Sequence, residues 1–173
     1  VAGLAACQAP GPITIPGITR APQNAEDALD AYYRTLPEEF YPTAPAGLPL
    51  PSKDSVLSRV LVGSCHDEEE AGPSDTLQRI AAEDADLFLM IGDNVYGDKD
   101  GMSYATNQAE LDELRESFAD LAARSDFQAV RASHPMMVAW DDHDYGANDA
   151  GREFPFRRLA ERVHERFWGI ENM

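Results

Sequence analysis

Short apolar runs alternate with helical patterns along the chain beyond residue 59. Three runs have the length of strands, at 60–62, 87–91 and 135–140. Continuous apolar runs of this length are typical of strands in a parallel sheet, and we expect the first to be buried. Between and after these runs, apolar residues recur every three or four positions, which predicts helices. The three predicted helical faces are Leu77, Ile80 and Ala81; Leu111, Leu114, Phe118 and Leu121; and Phe156, Leu159, Val163 and Phe167.

This order of strands and helices predicts an α/β fold, with parallel strands and covering helices. Functional side chains in such folds collect where the strands end. A polar cluster follows each of the three apolar runs, at 64–66, 93–98 and 141–148. We therefore expect the three clusters to form one shared site.

The first residues differ in composition from the rest. The stretch Leu4-Ala5-Ala6-Cys7 has the form of a bacterial lipobox, in which the cysteine carries lipid. We interpret residues 1–23 as the remnant of a lipoprotein signal and a Pro-rich tether. The predicted protein is exported, as a periplasmic or cell-envelope lipoprotein that meets the membrane only through an anchor at Cys7.

A helix and a linker are predicted to follow the tether. Asn24 is suited to cap a short helix, and a second Pro-rich passage leads to the main body, so we assign residues 24–58 to this part. Residues 59–173 form the predicted site-bearing domain. No run of about 18 apolar residues is present to span a membrane.

The net charge of the chain limits the kinds of molecule that it is expected to bind. The 173 residues include 14 Lys and Arg against 31 Asp and Glu, a formal net charge of −17. This excess of acid argues against a nucleic-acid-binding surface, because phosphate backbones require basic residues. It leaves phosphate esters open as substrates, since metal ions can hold them. The composition does not determine the oligomeric state.

The second polar cluster contains the pattern Gly-Asp-x-x-Tyr at 92–96. The carboxylate of Asp93 can bridge two cations, and a phenolate at Tyr96 suits trivalent iron. Two metals about 4 Å apart can hold a hydroxide for in-line attack at phosphorus. In the alternative interpretation, Asp93 and Asn94 only form a turn and Tyr96 only packs.

The first cluster offers a thiol. A thiolate at Cys65 is a strong ligand for iron or zinc. Cys65 is alternatively a small buried apolar residue, or a nucleophile with His66 as its base. Adjacent side chains diverge after a strand, which places His66 poorly for that role and favours the ligand.

The third cluster combines carboxylates with an imidazole. Asp142 can bind a metal, and His143 can contact a phosphate oxygen or protonate the leaving alkoxide. Asn148 offers a carbonyl ligand or an amide donor to phosphate. Side-chain alternation predicts that Asp141 and Asp142 point in opposite directions, so that only one of them binds metal.

Other polar residues have simpler interpretations. Asp144 and Asp149 fit a solvated or Ca²⁺-binding acidic loop. We interpret Glu68–Glu70 as a solvated turn, and His164 as part of a charged, solvated helix face.

Three motifs together resemble those of the PhoD-like (alkaline phosphatase D) family of metallophosphoesterases. They are Val-Gly-Ser-Cys at 62–65, Ile-Gly-Asp-Asn-Val-Tyr-Gly-Asp at 91–98 and Trp-Asp-Asp-His-Asp-Tyr-Gly-Ala-Asn-Asp-Ala-Gly at 140–151. Gly-Asp-x-x-Tyr is also similar to the motif of purple acid phosphatases.

The resemblance implies the α/β sandwich of calcineurin-like metallophosphoesterases, of which this chain would be the N-terminal portion. It also implies a dinuclear or larger centre of iron and calcium. The implied enzyme is a metallophosphatase outside the cytoplasm that hydrolyses phosphomonoesters or phosphodiesters with a metal-bound hydroxide.

Residue roles carry over by motif. Cys65 and Tyr96 would bind the iron, Asp93 would bridge the metals, and Asp142 would lie near the second metal. The catalytic residue would be His143, facing the phosphate and aiding the leaving group. Asn148 would assist either the phosphate or a metal.

One part of the family pattern has no counterpart here. The late Asp/His ligand segment is missing, since residues 155–173 offer only His164. We therefore interpret 59–173 as a truncated part of the metallophosphatase domain that is inactive alone. The alternative is a lipid-anchored, Ca²⁺-binding or interaction module without catalysis, which the missing ligands and acidic loops favour.

Overall fold

The computed structural model describes residues 24–99 and 109–170, and the chain divides into two compact units, Val1–Pro37 and Glu38–Met173. In the first unit, helix α1 (Ala25–Tyr33) begins at Asn24, whose side-chain oxygen accepts a hydrogen bond of 2.8 Å from the backbone N–H of Asp27. The predicted helix cap is thus confirmed. The predicted lipidation site, Cys7, lies outside the described residues.

The second unit is built on three parallel strands, β1 (Val60–Gly63), β2 (Leu87–Ile91) and β3 (Met136–Ala139), in the order β1-β2-β3. The prediction of an α/β fold with parallel strands and flanking helices is confirmed. Two helices, α4 (Ser125–Ser133) and α5 (Asp142–Tyr145), were not predicted. After a short 3-10 turn at Glu38–Phe40, the elements are β1 (Val60–Gly63), α2 (Asp75–Ala82), β2 (Leu87–Ile91), α3 (Asp112–Ala123), α4 (Ser125–Ser133), β3 (Met136–Ala139), α5 (Asp142–Tyr145) and α6 (Arg157–Trp168). No helix in the described ranges is long and apolar enough to cross a membrane.

Helices α3, α4 and α6 enclose the main core. The predicted apolar positions of α3 and α6 are buried except Phe156, which is half-buried, and the rings of Phe118 and Phe167 lie 4.6 Å apart between the two helices. Removal of this apolar surface from water is the main stabilising contribution to the fold. The most deeply buried residues of α3 and α6 are Leu114, Phe118, Leu121, Leu159 and Val163.

One face of the sheet is buried and the other is largely exposed. Phe88, Met90 and Met136 are buried, whereas Val60 is 39% and Val62 is 60% exposed. The prediction that β1 is a buried strand is therefore wrong. Successive side chains of a strand point to opposite faces, and in the described part of the chain the second face is covered only in part, with Leu87 buried and Met137 51% exposed.

The loops after β1 and β2 stay paired beyond the sheet. The backbone N–H of Cys65 donates to the carbonyl of Gly92 (3.3 Å), and that of His66 donates to the carbonyl of Asp93 (2.9 Å). These bonds hold the first two polar clusters side by side at the carboxyl end of the strands.

Candidate metal centre

A buried carboxylate, Asp144, ties the loops after β2 and β3 together. Its Oδ1 accepts hydrogen bonds from the backbone N–H groups of Asn94 (2.8 Å) and Val95 (3.1 Å). Its Oδ2 accepts from the Asn94 side-chain amide (2.9 Å) and from the backbone N–H of Asp141 (3.0 Å). We call Asp144 and these donors the Asp144 network.

Burial raises the pKa of Asp144 to about 7, although the hydrogen bonds of the network lower it. The prediction that Asp144 belongs to a solvated loop is wrong. Asp144 is the third residue of a helix start, where it forms a reciprocal capping box with Asp141. The short helix α5 thereby turns this side chain inward.

The Asp144 network brings three potential ligands together. One ligand atom each from Asp93, Asp142 and His143 lies within 4.8 Å of the other two, and all three residues are half-buried. We call these three residues the ligand cluster. Asp93 follows β2 and the other two begin α5, so the cluster joins two of the three predicted polar segments.

Cys65 adds a thiol from the remaining segment. Its Sγ lies 3.4 Å from Oδ2 of Asp93. Both residues adopt positive φ angles, 56° for Cys65 and 45° for Asp93. Such angles are uncommon for residues with side chains and concentrate at functional sites, because the surrounding structure must hold them there.

Tyr96 lies against the same group of residues. Its ring centroid is 4.4 Å from that of His143. Burial, then the charges of Cys65 and Asp93 and a hydrogen bond to Cys65, raises the pKa of the Tyr96 hydroxyl to about 12. Burial and these two acidic neighbours therefore disfavour the phenolate, and a cation between these groups would oppose that effect.

Two glycines allow this close approach of the loops. Gly92 has φ of 112°, and a Cβ there would lie 2.8 Å from Cβ of Asp141. A Cβ at Gly97 would lie 2.8 Å from Cα of Leu114 on α3. Larger residues at either position would push the loop carrying Asp93 and Tyr96 away from its neighbours.

Asp141 and Asp142 have different roles in the structure. Asp141 caps α5, with its Oδ1 accepting a hydrogen bond of 3.0 Å from the backbone N–H of Asp142. Asp142 is in the ligand cluster, and its Oδ2 accepts a hydrogen bond of 2.6 Å from the backbone N–H of Asp149. That bond lowers the pKa of Asp142, which favours the charged carboxylate. The separation of the two side chains arises from the start of a helix and not from strand alternation.

The sequence analysis missed the partner of His143. The imidazole Nδ1 lies 2.7 Å from Oδ1 of Asp98, whose residue is 9% exposed. Burial would lower the pKa of His143, but this bond and the charges of Asp98, Asp142 and Asp93 outweigh burial and raise it. Asp98 ends the 91–98 motif, yet nothing in the sequence indicates which side chain it meets.

Glu68 supports the site from behind Tyr96. Its Oε2 accepts a hydrogen bond of 3.0 Å from the backbone N–H of Tyr96, and the residue is 3% exposed. Burial is the main cause that raises the pKa of Glu68. The predicted solvated turn is therefore wrong at this residue, although its neighbours Glu69 and Glu70 are exposed.

Arg124 holds the loop that carries Glu68. Its guanidinium donates to the carbonyls of Glu68 (2.9 Å), Glu70 (2.9 Å) and Gly72 (2.7 Å). An ion pair of 2.8 Å with the buried Asp126 fixes the guanidinium. The loop after Cys65 is therefore anchored to the start of α4, a helix that the sequence pattern did not indicate.

Two predicted candidates lie apart from these contacts. Asn148 is exposed, and its side-chain amide donates to Oδ2 of Asp149 (2.9 Å). His66 is half-buried, and its buried Nε2 has no hydrogen-bond partner among the described residues. Cys65 instead meets Asp93.

The residues present fit a cation. Oδ1 of Asp93 is buried and has no hydrogen-bond partner among the described residues. A buried carboxylate oxygen without a donor is costly, and a metal ion would satisfy it. The neighbouring donors are carboxylate, imidazole and thiol, a set that binds both hard and softer metals.

This chain is similar to a protein family and to a solved structure. A family model described as PhoD-like phosphatase matches residues 60–158, a range that contains the ligand cluster, Cys65, Tyr96 and Asn148. A solved structure, described as the structure of PhoD, is 24% identical with a TM-score of 0.48. The alignment covers 73% of this chain and 26% of that one. The chain thus spans about a quarter of the length of that structure. Comparison with curated proteins gives no match.

Proposed function

This chain belongs to the PhoD-like phosphatase family, and we propose that it carries metal-binding and catalytic residues of a phosphoric ester hydrolase. The observation that carries the proposal is the ligand cluster, in which three donor atoms lie within 4.8 Å of one another. Its position at the ends of parallel strands is where α/β folds place their active sites.

The donor types favour two different metals. The thiol of Cys65 and the phenol of Tyr96 suit iron, and the carboxylate of Asp142 suits a harder ion such as Ca²⁺. Asp93 lies next to Cys65 and also within the ligand cluster, which supports a bridging role for its carboxylate between the two metals. Metals in such sites supply Lewis-acid activation of water and of a phosphoryl oxygen.

Within the ligand cluster we assign the metal to the carboxylates of Asp93 and Asp142, and we propose His143 as the general acid and not as a ligand. Asp98 holds Nδ1 of the imidazole, which leaves Nε2 to meet the substrate. The raised pKa of His143 increases the protonated fraction near neutral pH. When the bond from phosphorus to the leaving oxygen breaks, the Nε2 proton passes to that oxygen and Asp98 stabilises the orientation of the ring.

Hydrolysis assays test the proposal directly. The protein expressed from its natural coding sequence should hydrolyse p-nitrophenyl phosphate or bis-p-nitrophenyl phosphate. Asp93→Asn should reduce the rate by more than about a hundred-fold, because a metal ligand is lost. Asp120→Asn, an exposed change on α3, is the matched control and should retain activity.

Tight Ca²⁺ binding without turnover of either substrate would contradict the enzyme. That result would support the alternative, a Ca²⁺-binding module without catalysis. Calorimetric titration of the same two variants with Ca²⁺ therefore separates the two functions.

A visible spectrum tests the proposed iron ligand. A phenolate bound to trivalent iron gives the protein colour, and Tyr96→Phe should abolish the absorption band. Tyr32→Phe, which alters an exposed tyrosine of α1, should leave it unchanged. An active, colourless, iron-free protein would contradict this assignment.

We also propose that the protein is exported and lipid-anchored through Cys7. The support is the Leu4-Ala5-Ala6-Cys7 stretch before a Pro-rich segment. Radiolabelled palmitate should be incorporated in cells, and Cys7→Ala should prevent incorporation. Unchanged palmitate labelling of the Cys7→Ala variant would contradict the proposal.

A further inference from the structure

An open groove of about 370 Å³ lies beside the ligand cluster. It is lined by Trp140, Asp141, Asp142, Tyr145 and residues 150–152. Asp142 belongs to both the groove and the cluster. A molecule with a phosphoryl group at the cluster would therefore have its remaining atoms next to this groove.

The groove has an aromatic wall that is held in place from behind. The rings of Trp140 and Tyr145 meet edge to face, with centroids 5.3 Å apart. Trp140 also contacts His164 (5.3 Å), and Tyr145 contacts Phe154 (5.4 Å), whose side chains are buried. Trp140 nevertheless stays 40% exposed. A fixed and exposed indole is suited to stack on a planar ring.

Arg152 supplies a cation to the same groove. Its side chain is exposed and makes no hydrogen bond or ion pair within the described ranges. The neighbouring carboxylate of Glu153 accepts a hydrogen bond of 2.8 Å from the backbone N–H of Gly151. A guanidinium pairs well with carboxylates and phosphates, and here it stands in a chain of net charge −17.

We propose that this groove binds the leaving group of the substrate, and that the preferred substrates are phosphoric esters whose leaving group carries an aromatic ring and a second anionic group. The ring would stack on Trp140 and the anion would pair with Arg152. The inference rests on the proposed function, since it assumes that the phosphoryl group binds at the ligand cluster.

The groove carboxylates do not oppose this assignment. Asp142 is a proposed metal ligand, so its charge is offset when a metal is bound. Asp141 keeps its negative charge, and its Oδ1 accepts the backbone N–H of Asp142 as the cap of α5. Arg152 is the positive group of the groove, and its charge also acts on the neighbouring Glu153.

Binding of phosphonates, which the enzyme cannot hydrolyse, tests the aromatic part. Calorimetry on the metal-loaded protein from its natural coding sequence should give phenylphosphonate about ten-fold tighter binding than methylphosphonate. Trp140→Ala should remove this preference, and Trp140→Phe should keep most of it. Equal affinities for the two ligands in the unmodified protein would overturn the inference without any variant.

A charged ligand tests the role of Arg152. Arg152→Gln should weaken 4-carboxyphenylphosphonate by about three-fold at low salt, an effect that salt should reduce, and leave phenylphosphonate unchanged. Arg79→Gln, an exposed change on α2, is the matched control. Equal weakening of both ligands by Arg152→Gln would overturn the selective role.

The outcomes separate this inference from the proposed function. Phosphonate selectivity in a protein that hydrolyses no ester would contradict the proposed function but support ligand binding in the groove. Hydrolysis that depends on Asp93, together with equal binding of all three phosphonates, would support the proposed function but contradict the role of the groove.

Discussion

The Asp144 network and the ligand cluster both include residues of the four-residue helix α5, but their carboxylates differ in hydrogen bonding. Asp144 is fully buried, and its two oxygens accept four hydrogen bonds. In the cluster, Asp93 retains a buried oxygen with no partner in the part of the chain that the structure describes, next to a second carboxylate and a thiol.

This difference in hydrogen bonding separates a structural role for the Asp144 network from a metal-binding role for the ligand cluster. The Asp144 network satisfies both oxygens of the Asp144 carboxylate and fixes the geometry of two loops. In the cluster, Asp93 has a carboxylate oxygen that no described residue satisfies, and it lies close to a second carboxylate, which is unfavourable unless a cation binds. Substitutions should therefore affect folding in the first region and metal binding in the second.

The largest expected effect is on folding, from Asp144→Asn. Each oxygen of Asp144 accepts two N–H donors. The NH₂ group of the new asparagine would replace one of these oxygens, so two hydrogen bonds would be replaced by repulsion between N–H groups. The free energy of unfolding should fall by about 3 kcal/mol. Denaturant titration of metal-free protein measures this change.

The matched variant is Asp142→Asn, which lies two residues away in the same helix. It should change the free energy of unfolding of the metal-free protein by less than about 1 kcal/mol, while weakening metal binding by more than about ten-fold. Similar stability losses in both variants would erase the distinction between the two regions.

A buried histidine behind the groove gives the next effect. Desolvation lowers the pKa of His164 from 6.5 to about 4, and the residue is 6% exposed. The prediction that His164 lies on a solvated face is therefore wrong, since it packs between Trp140 and Phe118. It stays neutral in the folded state well below the pH at which the unfolded chain binds a proton.

The sign of the pH dependence follows from this lowered pKa. Above pH 6.5 both states are neutral at His164, and stability is unaffected. As the pH falls from 6.5 to 4, the unfolded state gains a proton, so the free energy of unfolding should drop by about 3 kcal/mol. Unfolding curves of His164→Phe should lack this component, and parallel pH profiles for variant and parent would contradict it.

A smaller effect is expected from the residue that orients His143. Asp98→Asn should lower kcat by about ten-fold to a hundred-fold, because the ring loses its charged partner. The pH profile of kcat should also shift to lower pH, since Asp98 raises the pKa of His143. A merely structural role would reduce activity without moving the profile.

The smallest effect should come from an exposed ion pair near the site. Lys99 meets Asp67 at 2.8 Å and Glu69 at 3.0 Å, with its side chain 41% exposed. Lys99→Ala should change the free energy of unfolding by less than about 1 kcal/mol, because solvent screens both pairs. A larger loss of stability would contradict the assignment of these ion pairs as solvent-screened contacts of little stabilising effect.

Local patterns were sufficient for the architecture. Strand-length apolar runs and helical spacing indicated the three parallel strands, and the burial of Leu114, Phe118 and Val163 follows that spacing. Helix α4 escaped prediction because it follows α3 with only Arg124 between them. The sequence motifs also located Cys65, Asp93, Tyr96, Asp142 and His143 as candidates, although their roles remain proposals.

What the sequence by itself determined is the order of the elements, the polar segments after each strand and the family to which the motifs point. These are properties of neighbouring residues, which spacing and residue type reveal. Only the tertiary structure decided that Asp144 supports the site while Asp142 faces it, that Asp98 pairs with His143, and that His164 and Glu68 are buried. Each of these depends on contacts between segments distant along the chain, where burial and hydrogen-bond geometry give the same residue type opposite roles.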